Sequence, residues 1–190
     1  MNKADLRSAF ITKRKLISPE LAHQYSEKIA DSFLFSFPEA STKIIHCYLP
    51  IAAKREVDTL ILINRIFEVW PDSTIVVPKS NMLTCDIENY IFTKDSEVIL
   101  NAWNIPEPVA CEFCTPAMID YVITPLLAYD EKGNRVGYGK GFYDRFFAKC
   151  RKDVIKVGLC FFEPTAAIDD VDAHDVRLDY CVTPDRVYRF

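Results

Sequence analysis

Apolar residues recur at helical spacing in two segments near the start of the chain. Leu6 and Phe10 lie one turn apart and predict a helix over residues 3–16. A second helix is predicted from Ser18-Pro19, with serine as N-cap and proline in the first turn. It carries Leu21, Tyr25, Ile29 and Phe33 at every fourth residue until Pro38 ends it. Downstream the pattern changes to short apolar runs. Those at Ile44–Leu49, Thr74–Val77, Tyr121–Thr124, residues 154–161 and Tyr180–Thr183 predict strands. Val57–Phe67 and residues 141–151 predict helices between them. Residues 83–100 alternate irregularly and predict short strands or a hairpin. Residues 101–118 hold Pro106, Pro108 and Pro116 and predict a loop. Strands alternating with helices imply an α/β fold. The expectation is one three-layer domain over residues 1–190, with a largely parallel, Rossmann-like sheet flanked by helices.

Four strands run into proline, at Leu49-Pro50, Val77-Pro78, Thr124-Pro125 and Thr183-Pro184. Proline cannot donate to a ladder, so strand termination accounts for them. Open α/β sheets also bind ligands beyond the carboxyl ends of their strands, so the same prolines are candidates for the rim of a site.

Composition narrows the function classes. With 49% hydrophobic and 26% charged residues the chain is an ordinary globular one. A formal net charge of −4 argues against general nucleic-acid binding, which needs a basic surface. No apolar run is long enough to span a bilayer, and Met1 to Lys15 is charged without an apolar stretch, so a cytoplasmic location away from membranes is expected. A monomer is favoured over an oligomer. The seven cysteines, with Cys47, Cys160 and Cys181 in apolar runs, read as reduced core thiols. Cys111 and Cys114 are spaced as a CxxC pair, but no second pair or histidines stand at zinc-ligand spacing.

Candidate chemistry concentrates in the stretch from Asp130 to Arg145. The chain has five glycines, and Gly137, Gly139 and Gly141 fall within five positions around Lys140. Glycine lets backbone N–H groups approach an anion closely. An aromatic-rich helix is predicted immediately after, beginning at Phe142, and Arg135 adds charge. The stretch is neither a Walker A loop, since no Ser or Thr follows Gly-Lys, nor a dinucleotide fingerprint, since Phe142 stands where the third glycine belongs. It reads either as a phosphate loop or as a glycine-rich hairpin tip. Lys3, Arg7 and Arg14 form a basic stripe on the first helix, either a solvated face or a clamp on phosphates. Glu56 and Asp58 stand near a helix start, where acids complement the helix dipole. Asp144 sits one turn beyond the glycines, and Asp175 lies in a late acidic loop, Ile168 to Asp179.

Across nearly its whole length the sequence resembles the 5-formyltetrahydrofolate cyclo-ligase family. The resemblance runs in order through Lys3-Ala4-Asp5-Leu6-Arg7, Tyr48 to Ile51, Glu56 to Thr59, Val77 to Lys79, Ile105 to Pro108, the loop from Gly137 to Asp144, Val157 to Leu159, and His174-Asp175. The loop, Gly-x-Gly-Lys-Gly-aromatic-Tyr-Asp, is the specific element. Two departures stand out: Phe142 replaces a more usual tyrosine, and Ala52 to Arg55 is longer than the usual spacer before Glu56.

The resemblance implies residue roles. Lys3, Ala4, Asp5, Leu6 and Arg7, with Arg135, Val136, Gly137, Tyr138, Gly139, Lys140, Gly141, Phe142 and Tyr143, match ATP-binding positions. Leu49, Ile51, Glu56, Tyr138 and Phe142 match the folate side, Glu56 against the pterin. Asp144 and Asp175 match magnesium positions and are expected at one shared site. The implied reaction is closure of 5-formyltetrahydrofolate to 5,10-methenyltetrahydrofolate with Mg-ATP, through a phosphorylated formyl group. Lys140, Arg135 and Arg7 are assigned to the phosphates. Partners are therefore ATP and the folate, with Mg²⁺ as cofactor, and no cysteine is needed. Two rival classes are a non-catalytic nucleotide- or folate-binding module and an enzyme handling sugar phosphate or CoA on a similar sheet.

Overall fold

The computed structural model describes residues 1–190. The helices are α1 (Lys3–Leu16), α2 (Pro19–Ser36), α3 (Thr59–Val69) and α4 (Phe142–Phe147). The strands are β1 (Ile44–Cys47), β2 (Thr74–Asn81), β3 (Asp86–Phe92), β4 (Val98–Leu100), β5 (Pro106–Pro108), β6 (Phe113–Cys114), β7 (Tyr121–Pro125), β8 (Ala128–Tyr129), β9 (Arg135–Val136), β10 (Ile155–Leu159), β11 (Tyr180–Val182) and β12 (Val187–Arg189). Eight of them form one sheet in the order β12-β11-β10-β7-β1-β2-β3-β6. The central five, β11 to β2, are parallel, and β12, β3 and β6 are antiparallel edges. The expected α/β class and largely parallel sheet are both present.

Both N-caps lie where short-range chemistry places them. Asn2 accepts from the Asp5 N–H of α1, and Ser18 accepts from the Leu21 N–H of α2. Helix α3 starts at Thr59 rather than Val57, because Asp58 is its cap and accepts from Leu60 N–H at 3.1 Å. Strand β2 runs through Pro78 to Asn81 because β3 pairs with it along that whole length. Its register with β1 ends at His46↔Val76, so one side of β2 is already unpaired at the proline. The expected loop at 101–118 contains β5, β6 and a short 3-10 turn. The helix expected over 141–151 ends at Phe147; turns carry the chain from there to β10, with Lys149 N–H donating to Phe146 O and Cys150 N–H to Phe147 O. The short β8–β9 hairpin and the edge strand β12 were not among the expected strands, whereas β11 falls within the one expected over Tyr180–Thr183.

The two faces of the sheet carry separate cores. Ile45 and Cys47 of β1 face the larger, where Ile29, Phe33, Leu62, Ile63 and Ile66 of α2 and α3 are buried. Each such side chain contributes about 1.5–3 kcal/mol when fully buried. Val76 and Val122 face the smaller, closed by Phe146 and Phe147 of α4. Helix α1 packs Leu6 and Phe10 on the β8–β9 hairpin and on Ile168. All seven cysteines are free thiols, and Cys47, Cys114, Cys160 and Cys181 are buried.

Two polar side chains, His46 and Asn89, interrupt the smaller core. His46 is fully buried between Val76 and Val122 in register, with the Phe146 ring at 4.9 Å. Burial pulls its pKa down to about 4, against a smaller upward pull from its hydrogen bond to Asn89. The folded protein therefore holds His46 neutral while the unfolded chain binds a proton below the usual pKa of 6.5. The corresponding stability is complete above pH 6.5 and declines as pH falls toward 4, by about 3 kcal/mol in all. Thermal melts between pH 4.5 and 8 should show this decline, and His46→Leu should flatten it below pH 6.5.

Candidate active site

The strand order reverses between β1 and β7: β2 lies on one side of β1, and β7, β10 and β11 follow on the other. Ligands of open α/β sheets bind beyond the carboxyl ends of the strands at such a point. A cleft of about 940 Å³ opens there. Tyr48 and Leu49 after β1, Pro78 of β2 and Pro125 of β7 contribute to its wall. Of the four strand-end prolines, Pro78 and Pro125 lie on the rim, while Pro50 and Pro184 do not line the cleft.

The glycine loop forms one wall. Gly139 has φ +92, and a Cβ there would stand 3.1 Å from the Arg7 guanidinium. A side chain there would be strained at that φ and would press on Arg7, whose Nε donates to Gly137 O at 3.0 Å. Gly141 takes φ +66 as the residue before α4. Helix α4 has only six residues, so the dipole argument for anion binding weakens, and the surrounding cations carry it instead. Lys140 has no carboxylate partner within ion-pair distance.

Arg135 lies at the base of this wall with 7% of its side chain exposed. It pairs with Asp144 at 2.7 Å, donates to Val176 O, and lies over the Phe147 ring at 5.2 Å. Burial pulls its pKa below that of a free guanidinium, and Asp144 works against that pull. Lys3 Nζ pairs with Asp175. Burial opposes the charge on Asp175, but hydrogen bonds from Lys3 and from Asp172 N–H outweigh it and keep the carboxyl below its usual range. Asp169 and Asp170 accept from the Met1 amino group and Lys3 N–H, so the acidic loop clasps the start of α1.

A second polar group meets the glycine loop from the segment after β1. Glu56 is 8% exposed, and its Oε2 accepts from Ile51 N–H at 2.8 Å while Oε1 accepts from the Tyr138 hydroxyl. Tyr138 in turn accepts from Arg14 Nη1 at 2.9 Å, and Lys54 Nζ lies 4.0 Å from its ring centre. Burial, then the charge of Glu56, raises the Tyr138 pKa far above the ordinary phenol value.

The cleft brings together Lys3, Arg7, Leu49, Ile51, Glu56, Arg135 and the run from Gly137 through Asp144, with Asp175. It does not include Ala4 and Asp5, or Leu6 and Val136, which are buried in the core under α1. Arg14 leaves the basic stripe: it is buried, and its Nη2 donates to Leu126 O at 2.6 Å. Sequence reasoning missed Lys54, Arg145, Arg151, Lys152 and Lys156, which also reach the cleft. Their only signal was positive charge, without spacing that ties them to the loop. In all, nine Lys and Arg side chains line it against four Asp and Glu, inside a chain of net charge −4.

Asp144 and Asp175 each keep one carboxylate oxygen free. Asp144 Oδ1 accepts from Arg135 and from Val176 N–H, leaving Oδ2 unengaged. Asp175 Oδ2 accepts from Lys3 and Asp172 N–H, leaving Oδ1 unengaged. No cluster of three His, Cys, Asp or Glu side chains is arranged to hold a metal. That donor set fits Mg²⁺, which takes one or two carboxylates and completes its shell with phosphate oxygens and water.

The fold recurs in known proteins. Mouse 5-formyltetrahydrofolate cyclo-ligase is 26% identical over 188 residues, covering 93% of this chain and 91% of the mouse protein. The NMR structure of Aquifex aeolicus 5,10-methenyltetrahydrofolate synthetase is 30% identical, matches with TM-score 0.78, and is covered to 93% by the whole of this chain. A 5,10-methenyltetrahydrofolate synthetase structure from Mycoplasma pneumoniae, 24% identical, shares the fold with TM-score 0.77 over 97% of this chain and 99% of that one. The family profile matches residues 1–184, and the chain thus belongs to the 5-formyltetrahydrofolate cyclo-ligase family of enzymes.

Proposed function

We propose that this chain converts 5-formyltetrahydrofolate to 5,10-methenyltetrahydrofolate, with ATP converted to ADP and phosphate. One observation carries the reading: the glycine loop with its cations and the buried Glu56 open onto the same cleft. A polyanion and a flat ligand rich in N–H donors can therefore lie side by side.

In this reading the N5 formyl oxygen attacks the γ-phosphorus of ATP, and the bond to the ADP oxygen breaks. N10 then attacks the formyl carbon, phosphate leaves with its oxygen, and the N10 proton is lost. The amide oxygen is a weak nucleophile, so catalysis rests on positioning and charge neutralisation. In this reading Lys140, Arg7 and Arg135 would contact the phosphates, and Arg135 would need no reorganisation because Asp144 and Val176 already fix it. Asp144 Oδ2 and Asp175 Oδ1 are the atoms that would hold Mg²⁺, which when bound offsets the charge of the phosphates. Glu56 has lone pairs beyond those taken by Ile51 and Tyr138 and would accept from the pterin N–H groups.

Purified protein with ATP, Mg²⁺ and 5-formyltetrahydrofolate should develop the methenyl chromophore; no absorbance change would refute the reading. In the same assay Lys140→Ala should lower turnover by a factor of roughly 100 or more, as loss of a transition-state charge contact does.

Glu56→Gln separates the two ligands. Titrations with each ligand alone should show folate affinity reduced by roughly tenfold or more, as loss of a charged hydrogen bond does, with ATP affinity nearly unchanged. Equal losses for both ligands would remove Glu56 from a pterin-specific role.

A further inference from the structure

His46 is a residue that the chemistry above leaves unused, and the fold tolerates its cost. A valine or leucine would suit its neighbours Val76, Val122 and Phe146 better, since a buried imidazole must find partners for both ring nitrogens. It has them. Nδ1 lies 2.7 Å from Asn89 Oδ1 and Nε2 lies 3.1 Å from the Tyr143 hydroxyl.

The pairing fixes directions. Asn89 Oδ1 can only accept, so the proton of the neutral ring is on Nδ1. Nε2 then carries the lone pair, and the Tyr143 O–H donates to it. Asn89 is itself fully buried on β3, and its Nδ2 has no partner.

Tyr143 is the next residue but one after Gly141 and directly precedes Asp144. It lines the cleft from the first turn of α4. That helix is six residues long, and no side chain caps its N-terminus. So short a helix has little stability of its own and takes its place from tertiary contacts. Phe146 and Phe147 hold its far end in the smaller core. At the near end the anchors are the Arg135–Asp144 pair and the hydrogen bond from Tyr143 to His46.

We propose that His46 is a positioning residue for the reaction: with Asn89 it fixes the Tyr143 hydroxyl, and through it the first turn of α4, where the glycine loop meets Asp144. The inference rests on the activity proposed above for its kinetic readout and on the hydrogen-bond chain for its geometry. His46 touches neither ligand in this scheme and acts through Tyr143 alone.

A double-mutant cycle tests it. His46→Leu and Tyr143→Phe should each lower kcat/KM for methenyl formation roughly tenfold, and the double variant should fall no further than either single one. His46→Gln, which can still accept from the hydroxyl, should recover most of the loss. If His46→Leu does not fold, as judged by circular dichroism, Tyr143→Phe and His46→Gln supply the comparison. Ring ¹⁵N shifts read the hydrogen bond without turnover: Nδ1 protonated, Nε2 bare, and the Nε2 signal moved by Tyr143→Phe. A folded His46→Leu within about twofold of wild type, or single effects that multiply in the double variant, overturns the proposal. A protonated Nε2 in the wild type overturns it independently. Wild-type protein that forms no methenyl product defeats the proposed activity instead and leaves the ring-nitrogen result standing.

Discussion

The site depends on a buried cation. Arg135 is nearly sealed from water, and an unpaired guanidinium there would cost several kcal/mol. Asp144 makes the position tenable, and the same carboxylate oxygen accepts from Val176 N–H. Arg135 also donates to Val176 O, so residues 135, 144 and 176 are locked together although they are far apart in the chain. This junction joins the β8–β9 hairpin, the glycine-loop helix and the acidic loop. It also limits what Asp144 can do, since only Oδ2 remains for a metal.

The acidic loop has a second task. Single exposed pairs such as the Met1 amino group with Asp169 contribute little. Together with the Lys3 contacts to Asp170 and Asp175 they fix the start of α1. The helix then delivers Lys3 and Arg7 to the cleft while Leu6 and Phe10 stay in the core. Gly139, with no side chain, leaves room for the Arg7 guanidinium against the loop. The positive cleft of an acidic protein is thus a matter of placement: its acids bind structural partners, while Lys140 and Arg7 have no carboxylate partner.

Locally encoded features were legible in the sequence. The cap at Ser18, the period of α2 and the glycine cluster each depend on neighbours within a few residues. Features set by distant partners were not. The aromatic run after Gly141 reads as a long helix, yet it stops at Phe147 because the chain must turn to enter β10. Arg14 keeps helical phase with Lys3 and Arg7, but Tyr138 and Leu126 O, each more than a hundred residues away, draw it inward. Glu56, singled out by the resemblance, lines the cleft, but its engagement by Ile51 and Tyr138 needed the fold. His46 carried no signal, because a histidine in an apolar strand shows nothing until Asn89 and Tyr143 stand beside it.

The central claim is that one cleft couples a nucleotide on the glycine loop to a folate at Glu56. The stoichiometry of the two products tests this most directly. ADP and methenyl product should be measured in the same reaction, with limiting 5-formyltetrahydrofolate. The account predicts one ADP for each methenyl formed and neither product when the other substrate is withheld. Methenyl formation at full rate without nucleotide, or steady ADP release without the chromophore, would contradict it.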